Sequence, residues 1–361
     1  MFSIVIPTRN RAPFLERLLT YCVVLKVKQP IWIADSSLTD AAGEIRDLIN
    51  RVRPHLNLDL ISYDPEIGIA DKLNDVLCHV HTELVVLGAD DDFFTPRGLQ
   101  NAAEFLHANS DFSLAHGKSV TFELAPGPVY GDTLRVANYP QRSIEHSTAS
   151  ERLLDHLTRY STTWYSMHRL EQLRRNMQTV AKLQMEPVSF TELLPSCLSL
   201  IQGKSKKLDV LYAVRQVHPR RNDVASVDTF DWVADSRWPV QFGRFRDRLT
   251  EELAQRDNIS PDAARETVKR AFWFYLGQRL SSKWRQRYGE DRTIQRARLK
   301  EQVARRVPGV LPAWQRARSL FSGDENQLLL PALLRSSSPY HAEFMPSYRA
   351  LTESQDRVRK I

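Results

Sequence analysis

The chain has 361 residues, of which 42% are hydrophobic, 13 are Gly, 19 Pro and 3 Cys, with a formal net charge of +7. At roughly 150 residues per domain this is an ordinary globular composition of about two domains, which excludes collagenous, low-complexity and disordered classes. No apolar run approaches the ~20 residues that a membrane-spanning helix needs. The opening MFSIVIPTRN also lacks the basic start and long apolar stretch of a secretory signal, so a soluble cytoplasmic protein is expected. Three cysteines, Cys22, Cys78 and Cys197, show no metal-ligand spacing, which predicts free thiols rather than a disulfide framework or a zinc site. Charge is uneven along the chain. Residues 269–318 hold 14 basic and 3 acidic residues, a local net of +11, whereas the first 268 residues carry −4. That concentration points to an anionic partner for the back of the chain.

Residues 2–6 form a short apolar run ending at Pro7, the pattern of a strand buried on both faces. Pro13 then opens a helix whose stripe is Phe14, Leu15, Leu18, Leu19 and Cys22. A second strand spans 31–34 and ends at Asp35-Ser36-Ser37. A helix over 40–52 presents Ile45, Leu48 and Ile49 on one face. Residues 56–63 read as a third strand, 69–80 as a third helix, and 84–87 as a fourth strand running into Asp90-Asp91-Asp92. Strands and helices alternating at about 30-residue intervals predict βαβ units, hence an α/β fold with a doubly wound, mostly parallel sheet. After Ser226 the pattern changes to long helices rich in Arg, Gln and aromatics, so the division expected is an α/β domain over 1–222 and a mostly helical, basic region over 223–361.

In an open α/β sheet, ligands sit beyond the carboxyl ends of the strands. The residues expected there are Pro7, Thr8, Arg9 and Arg11 after the first strand, Asp35 and Ser36 after the second, and the aspartates after the fourth. No G-x-G-x-x-G follows the first strand and no phosphate loop of the G-x-x-x-x-G-K-[ST] type occurs, so dinucleotide and P-loop readings fail. Three consecutive carboxylates repel one another unless a cation sits among them, and oxygen ligands select hard ions, Mn2+ or Mg2+. The plainer alternative is a solvated turn before a helix begun by Thr95-Pro96.

The segments FSIVIPTRNRAPFLERLL, IADSSLTD, GIADKLNDVL and VVLGADDDFFTP, in that order and spacing, resemble the family 2 glycosyltransferases of the GT-A fold over roughly residues 2–220. The resemblance implies a nucleotide-sugar pocket lined by Thr8, Arg9 and Asp35, with Lys72 and Asn74 beside the nucleotide. It implies ribose and metal contacts for Asp90 and Asp91, and a metal contact for Asp92. Ala89 stands where the family's motif usually begins with Asp, which leaves the division of labour among the three aspartates open, and Ser36-Ser37 replace its Gly-Ser, which leaves the base contact open. Further on, PVSFTELLPSCLSLIQGK resembles the helix carrying the family's catalytic base. Glu192 takes that position in the first helical turn, with Glu186 as the second candidate. An acid in a first turn also simply complements the helix dipole. LYAVRQVHPRR resembles the strand with late basic and histidine residues, which implies Arg215 on the diphosphate and His218 in the metal shell, against the commoner structural histidine.

The implied reaction is direct displacement with inversion at the anomeric carbon, Glu192 taking the acceptor's proton. His116, Trp164 and Tyr165 are candidates for the acceptor wall; aromatic residues at such positions are as often core. For the basic helices, three readings stand: a peripheral contact with the anionic inner membrane surface, sensible for a lipid-linked acceptor; a cradle for an anionic glycan; or a helical domain with a solvated basic face. No nucleic-acid motif accompanies the charge. The family points to bacterial surface polysaccharide synthesis. The alternatives are a nucleotidyltransferase acting on sugar phosphates, which would need a Gly-rich loop after the first strand, and a non-catalytic assembly protein.

Overall fold

The structure is a computed structural model that describes residues 1–127, 129–185, 188–218, 228–288 and 327–352. Its first half runs β1 (Phe2–Thr8), α1 (Ala12–Val24), β2 (Ile31–Asp35), α2 (Thr39–Val52), β3 (Leu58–Ser62), α3 (Ile69–His79), β4 (Leu84–Leu87), β5 (Phe93–Phe94) and α4 (Pro96–Ala108). The chain continues through β6 (Phe112–Pro126), β7 (Gly131–Tyr139), α5 (Ala149–Thr158), β8 (Met167–Arg169), α6 (Leu170–Lys182), α7 (Val188–Gln202) and β9 (Lys204–Gln216). Helices α8 (Thr229–Ala234), α9 (Trp238–Asp257) and α10 (Pro261–Tyr288) follow, then the short helix Leu330–Leu333 and the helix His341–Thr352.

Among the described residues the strands make one nine-stranded sheet in the order β3-β2-β1-β4-β8-β6-β9-β5, with β7 against β6. The β1–β2, β2–β3, β1–β4 and β6–β9 pairs are parallel. The β4–β8, β6–β8, β5–β9 and β6–β7 pairs are antiparallel. The sheet is therefore mixed, with four pairs of each kind, but most of its paired residues lie in the parallel pairs, and helices cover both faces. Phe2, Ile4 and Ile6 of β1 share a core with α1, α2 and α4, whereas Val5 points the other way, into a core with α3 and α6. Burial on both faces is why β1 and β4 read as unbroken apolar runs rather than as alternating ones.

The segment after β4 is fixed by a cap and a close approach. Thr95 caps α4 by accepting from the Gly98 N–H at 3.1 Å, and its hydroxyl donates to the Leu211 carbonyl of β9. A Cβ on Gly98 would stand 2.6 Å from that same carbonyl, so only glycine lets α4 lie this close to β9. Asp90–Asp92 are thereby held between β4 and the β5–β9 pair.

The helices after residue 222 do not pack as a separate layer. Trp232, Phe245, Leu249 and Phe272 of α8–α10 share one core with Leu153 of α5 and with Phe190, Leu194 and Cys197 of α7. The chain then returns to the sheet, where Leu328, Tyr340, Phe344 and Leu351 join the core containing β1 and α1. Residues 289–318, the greater part of the basic stretch, lie outside the described residues; α10 carries its beginning. Trp273, Phe274 and Trp284 of α10 are about half exposed.

Two outcomes follow from this packing. Phe272 is fully buried among Phe190, Phe242, Phe245 and Trp232, with ring centroids 4.7–6.5 Å away. Phe272→Ala should cost about 3–5 kcal/mol. Because α7 shares the cluster, urea unfolding followed by far-UV and tryptophan signals should remain one transition; two separated transitions would contradict a shared core. Burial also holds three imidazoles neutral, drawing His116 down to about 4, His156 to about 3 and His168 to about 4. Their folded values lie below the ordinary ~6.5, so the unfolded chain takes up protons first. Stability should be full above about pH 6.5 and fall as pH drops toward 4. A urea midpoint equal at pH 7.5 and 5.5 would show these rings to be solvated.

Candidate functional site

Strand β1 lies between β2 and β4, and successive connections leave it in opposite directions. Its carboxyl end is therefore a crevice between divergent loops. The expected residues gather there. The Thr8 hydroxyl donates to Asp90 Oδ2 at 2.7 Å across the β1–β4 boundary. After β2, Asp35 Oδ1 accepts from both the N–H and the hydroxyl of Ser37, at 2.9 and 2.5 Å. The Ser37 hydroxyl oxygen in turn accepts from the Asn10 N–H at 2.7 Å. Asn10 adopts a left-handed conformation (φ 55°) and its Oδ1 accepts from the Leu38 N–H at 2.8 Å. These bonds stitch the β1 and β2 loops together. Pro7 pairs with Ala34 in the register that leads into them.

Lys72 reaches this floor from the first turn of α3, donating to the Thr8 carbonyl at 3.1 Å and to the Ser36 hydroxyl at 2.8 Å. Burial draws its ammonium down to about 8, against the pull of Asp35. Asn74 lies two residues further along α3, about 200° around the helix axis, and so does not share that face. Arg9 stays at the rim, pairing with Glu66 at 3.2 Å.

The three aspartates are almost wholly buried, at 2%, 7% and 5% exposure. Protein cations meet all of them. Arg11 spans two, with Nη1 3.1 Å from Asp90 Oδ1 and Nη2 2.6 Å from Asp91 Oδ2. Arg11 is also the N-cap residue of α1 but makes no side-chain cap, since a guanidinium has only donors and the first helical turn needs an acceptor. His218 Nε2 stands 2.9 Å from Asp91 Oδ2, its ring stacked on Phe14 at 4.9 Å. Asp92 accepts from Arg215 Nε at 3.0 Å and from the Gln216 N–H at 2.8 Å. Burial pushes Asp90 and Asp92 above the ordinary carboxylate range, against Arg11 and Arg215 respectively. Burial works the same way on Asp91, but His218 and Arg11 outweigh it and hold that group low.

This arrangement does not match a ligand set for Mn2+ or Mg2+. Five of the six aspartate oxygens already accept from Thr8, Arg11, His218, Arg215 or Gln216, which leaves Asp91 Oδ1. Among the described residues no group of three or more His, Cys, Asp or Glu side chains is placed to hold a metal ion. Mg2+ demands several oxygens at ~2.0–2.1 Å in octahedral array, and here those oxygens face guanidinium N–H groups. Asp91, Asp92 and His218, expected in a metal shell, here meet Arg11, Arg215 and one another.

Glu192 is the fifth residue of α7, so it lies in the second turn rather than the first and does not belong to the helix's N-terminal dipole site. Its Oε1 accepts from the Tyr160 hydroxyl at 2.6 Å. Tyr165 links the two halves of the site. Its ring lies 4.0 Å from the Arg215 guanidinium, and its phenol lies within electrostatic reach of Asp91, Asp92 and Glu192. The ring face expected to stack a sugar is therefore taken by Arg215. Trp164 packs against the core shared by α3 and α6, and is a packing residue there. His116 is buried in the middle of β6, its Nδ1 3.3 Å from the Gly117 carbonyl, with Lys207 as its charged neighbour. It is five residues short of Thr121, which pairs with Arg215, and the structure does not bring it to the aspartates. Glu186 lies outside the described residues.

Several residues of the site escaped the sequence reading. Arg17, only 1% exposed, donates to the Asp91 carbonyl at 3.0 Å, to Gln216 Oε1 at 2.8 Å and to the Val129 carbonyl at 2.5 Å. Its one signal was a charge set directly beside the apolar stripe Phe14, Leu15, Leu18, Leu19. Tyr139 forms the other side of the Arg215 sandwich at 4.7 Å, and Tyr160 holds Glu192. Neither has a motif to mark it.

No family model matches this chain, and no curated protein matches it. Solved structures that resemble it include S. aureus TarS 1-349, at 17% identity over 80% of this chain and 92% of that one, with a TM-score of 0.43. The same protein in complex with UDP-GlcNAc aligns at 14% identity, with the same coverage and a TM-score of 0.44. The mannosyltransferase PcManGT from Pyrobaculum calidifontis, in complex with GDP-Man and Mn2+, aligns at 15% identity over 100% of this chain and 88% of that one, with a TM-score of 0.41.

Replacing Arg17 tests the buried scaffold. Arg17→Leu removes the donor from two buried acceptors, the Asp91 carbonyl and Gln216 Oε1, and from the half-buried Val129 carbonyl, and should cost about 3–5 kcal/mol in urea unfolding. A loss under about 1 kcal/mol would mean that water reaches these groups.

Proposed function

We propose that the chain is a GT-A-type glycosyltransferase that moves a sugar from a nucleoside diphosphate donor to a hydroxyl of a glycan or lipid-linked acceptor, with inversion. The observation that carries this reading is the crevice at the end of β1. There Thr8 and Asp90 bridge the point where the connections diverge, with Asp35, Ser36 and Lys72 on one side and Arg11 and Arg215 on the other. Chemically this is a hydrogen-bonding pocket for a base and ribose beside a cluster of guanidiniums for a diphosphate. The motif resemblance over residues 2–220 assigns the same places to the donor.

In this reading Asp35 and Ser36 contact the base and Lys72 the nucleotide. Asp91, whose Oδ1 stays open, accepts a donor hydroxyl. Glu192 accepts the proton of the attacking hydroxyl as the oxygen bonds to the anomeric carbon, and the nucleoside diphosphate leaves toward Arg11 and Arg215. Tyr160 positions Glu192 by donating to its Oε1, which keeps Oε2 for the acceptor. No described helix is long and apolar enough to cross a membrane. Trp273, Phe274 and Trp284, exposed on α10 among Lys269, Arg270, Lys283 and Arg285, support a peripheral contact with an anionic membrane surface, where a lipid-linked acceptor would lie. Synthesis of a bacterial surface polysaccharide is the process in which such an acceptor would arise.

Turnover of UDP-, GDP- and dTDP-sugars, followed by release of the nucleoside diphosphate with an acceptor present, tests the reading. Glu192→Gln should lower the transfer rate about 10²–10⁴-fold while nucleotide affinity stays unchanged. Asp35→Ala should weaken nucleotide binding instead. Wild-type rates in Glu192→Gln would remove it as the base, and failure of every donor to bind would remove the donor site.

A further inference from the structure

We infer that this site binds its nucleoside diphosphate without a divalent cation, Arg11 and Arg215 taking the electrostatic place that a metal would hold. The inference rests on the donor-site reading above and specifies how that site compensates charge. Three carboxylates face three guanidiniums: Asp90 and Asp91 meet Arg11, Asp92 meets Arg215, and Arg17 holds the Asp91 carbonyl from behind. The charges balance before any ligand arrives. A dication entering here would find oxygens already engaged and guanidiniums for neighbours, so the local field that draws Mn2+ into an acidic cluster is missing.

The arginines are also poorly able to leave. Arg215 is clamped between the rings of Tyr139 and Tyr165, 4.7 and 4.0 Å from its guanidinium carbon, and Arg11 lies 4.5 Å over Phe14. Among the described residues Arg215 spends only Nε, on Asp92, which leaves its two Nη groups as donors, whereas Arg11 holds Asp90 and Asp91 through both of its Nη groups. A rigid guanidinium anchored through some of its N–H groups and open at the others is suited to phosphate oxygens, which it binds in fork geometry. The aspartates then serve as anchors that aim the arginines, and the remaining guanidinium N–H groups donate to the oxygens of the departing diphosphate.

The test uses the full chain. Calorimetric titration with UDP and GDP is run in excess EDTA and again in saturating MnCl2, alongside titration of the protein with MnCl2 alone. Affinities agreeing within about twofold, with no saturable Mn2+ binding to the protein alone, are expected. A tenfold or greater weakening in EDTA, or saturable Mn2+ binding, would overturn the inference while leaving the donor site in place. No nucleotide binding in either condition would overturn the donor-site reading itself, and this inference with it. Arg215→Gln, with its fold checked by near-UV circular dichroism, should weaken UDP or GDP binding about tenfold or more in EDTA. Arg215→Lys, which keeps the charge and loses the fork, should fall between. Wild-type affinity in the glutamine variant would exclude Arg215 from phosphate binding.

Discussion

Three neighbouring carboxylates buried at the end of β4 must be compensated, and the rest of the site is arranged by that need. At ~4 Å, two like charges repel by about 4 kcal/mol even in a medium of effective dielectric 20, and burial adds a desolvation cost for each ion. The fold meets both with guanidiniums and one imidazole from distant places in the chain. Arg11 and Arg17 come from the start of α1, Arg215 from the end of β9, and His218 from just beyond it. Together they tie the β4 loop to the start of α1 and to the end of β9. The first βα loop, the aspartate turn and the last strand are thereby held as one unit.

The same ties explain the geometry of what surrounds the cluster. Asp92 accepts from the Gln216 backbone as well as from Arg215, so β9 is registered against the aspartate turn at the point where β5 pairs with it. Arg215 lies over the ring of Tyr165, whose phenol stands between the aspartates and Glu192 and feels the charge of both. Helix α7 belongs to the core that it shares with α5 and α8–α10. The candidate base is therefore carried by the helical body, and the candidate donor site by the sheet.

The motif residues read from the sequence divide by how far each depends on pairing. Thr8, Asp35, Ser36 and Lys72 fall where a βαβ pattern puts them, because the end of a buried strand is visible as the end of an apolar run. Glu192 was legible as a helical acid, but its turn was not, since α7 starts earlier than its motif suggests. His116 lies away from the aspartates because β6 runs for 15 residues with register shifts. A position in a long strand does not say which end of the sheet it serves. Trp164 and Tyr165 are adjacent, yet one packs into the α3–α6 core and the other under Arg215.

From sequence alone came the alternating α/β order, the mostly parallel sheet and the crevice to examine. These depend on local periodicity and on burial of both strand faces, which leave a mark in every few residues. Only the tertiary structure decided what neutralises Asp90, Asp91 and Asp92. A run of acids in sequence is equally compatible with a divalent cation, with solvent or with arginines. The choice is made by partners such as Arg11 and Arg215, which lie 80 and 123 residues away along the chain and meet the aspartates only once β1, β4 and β9 are assembled.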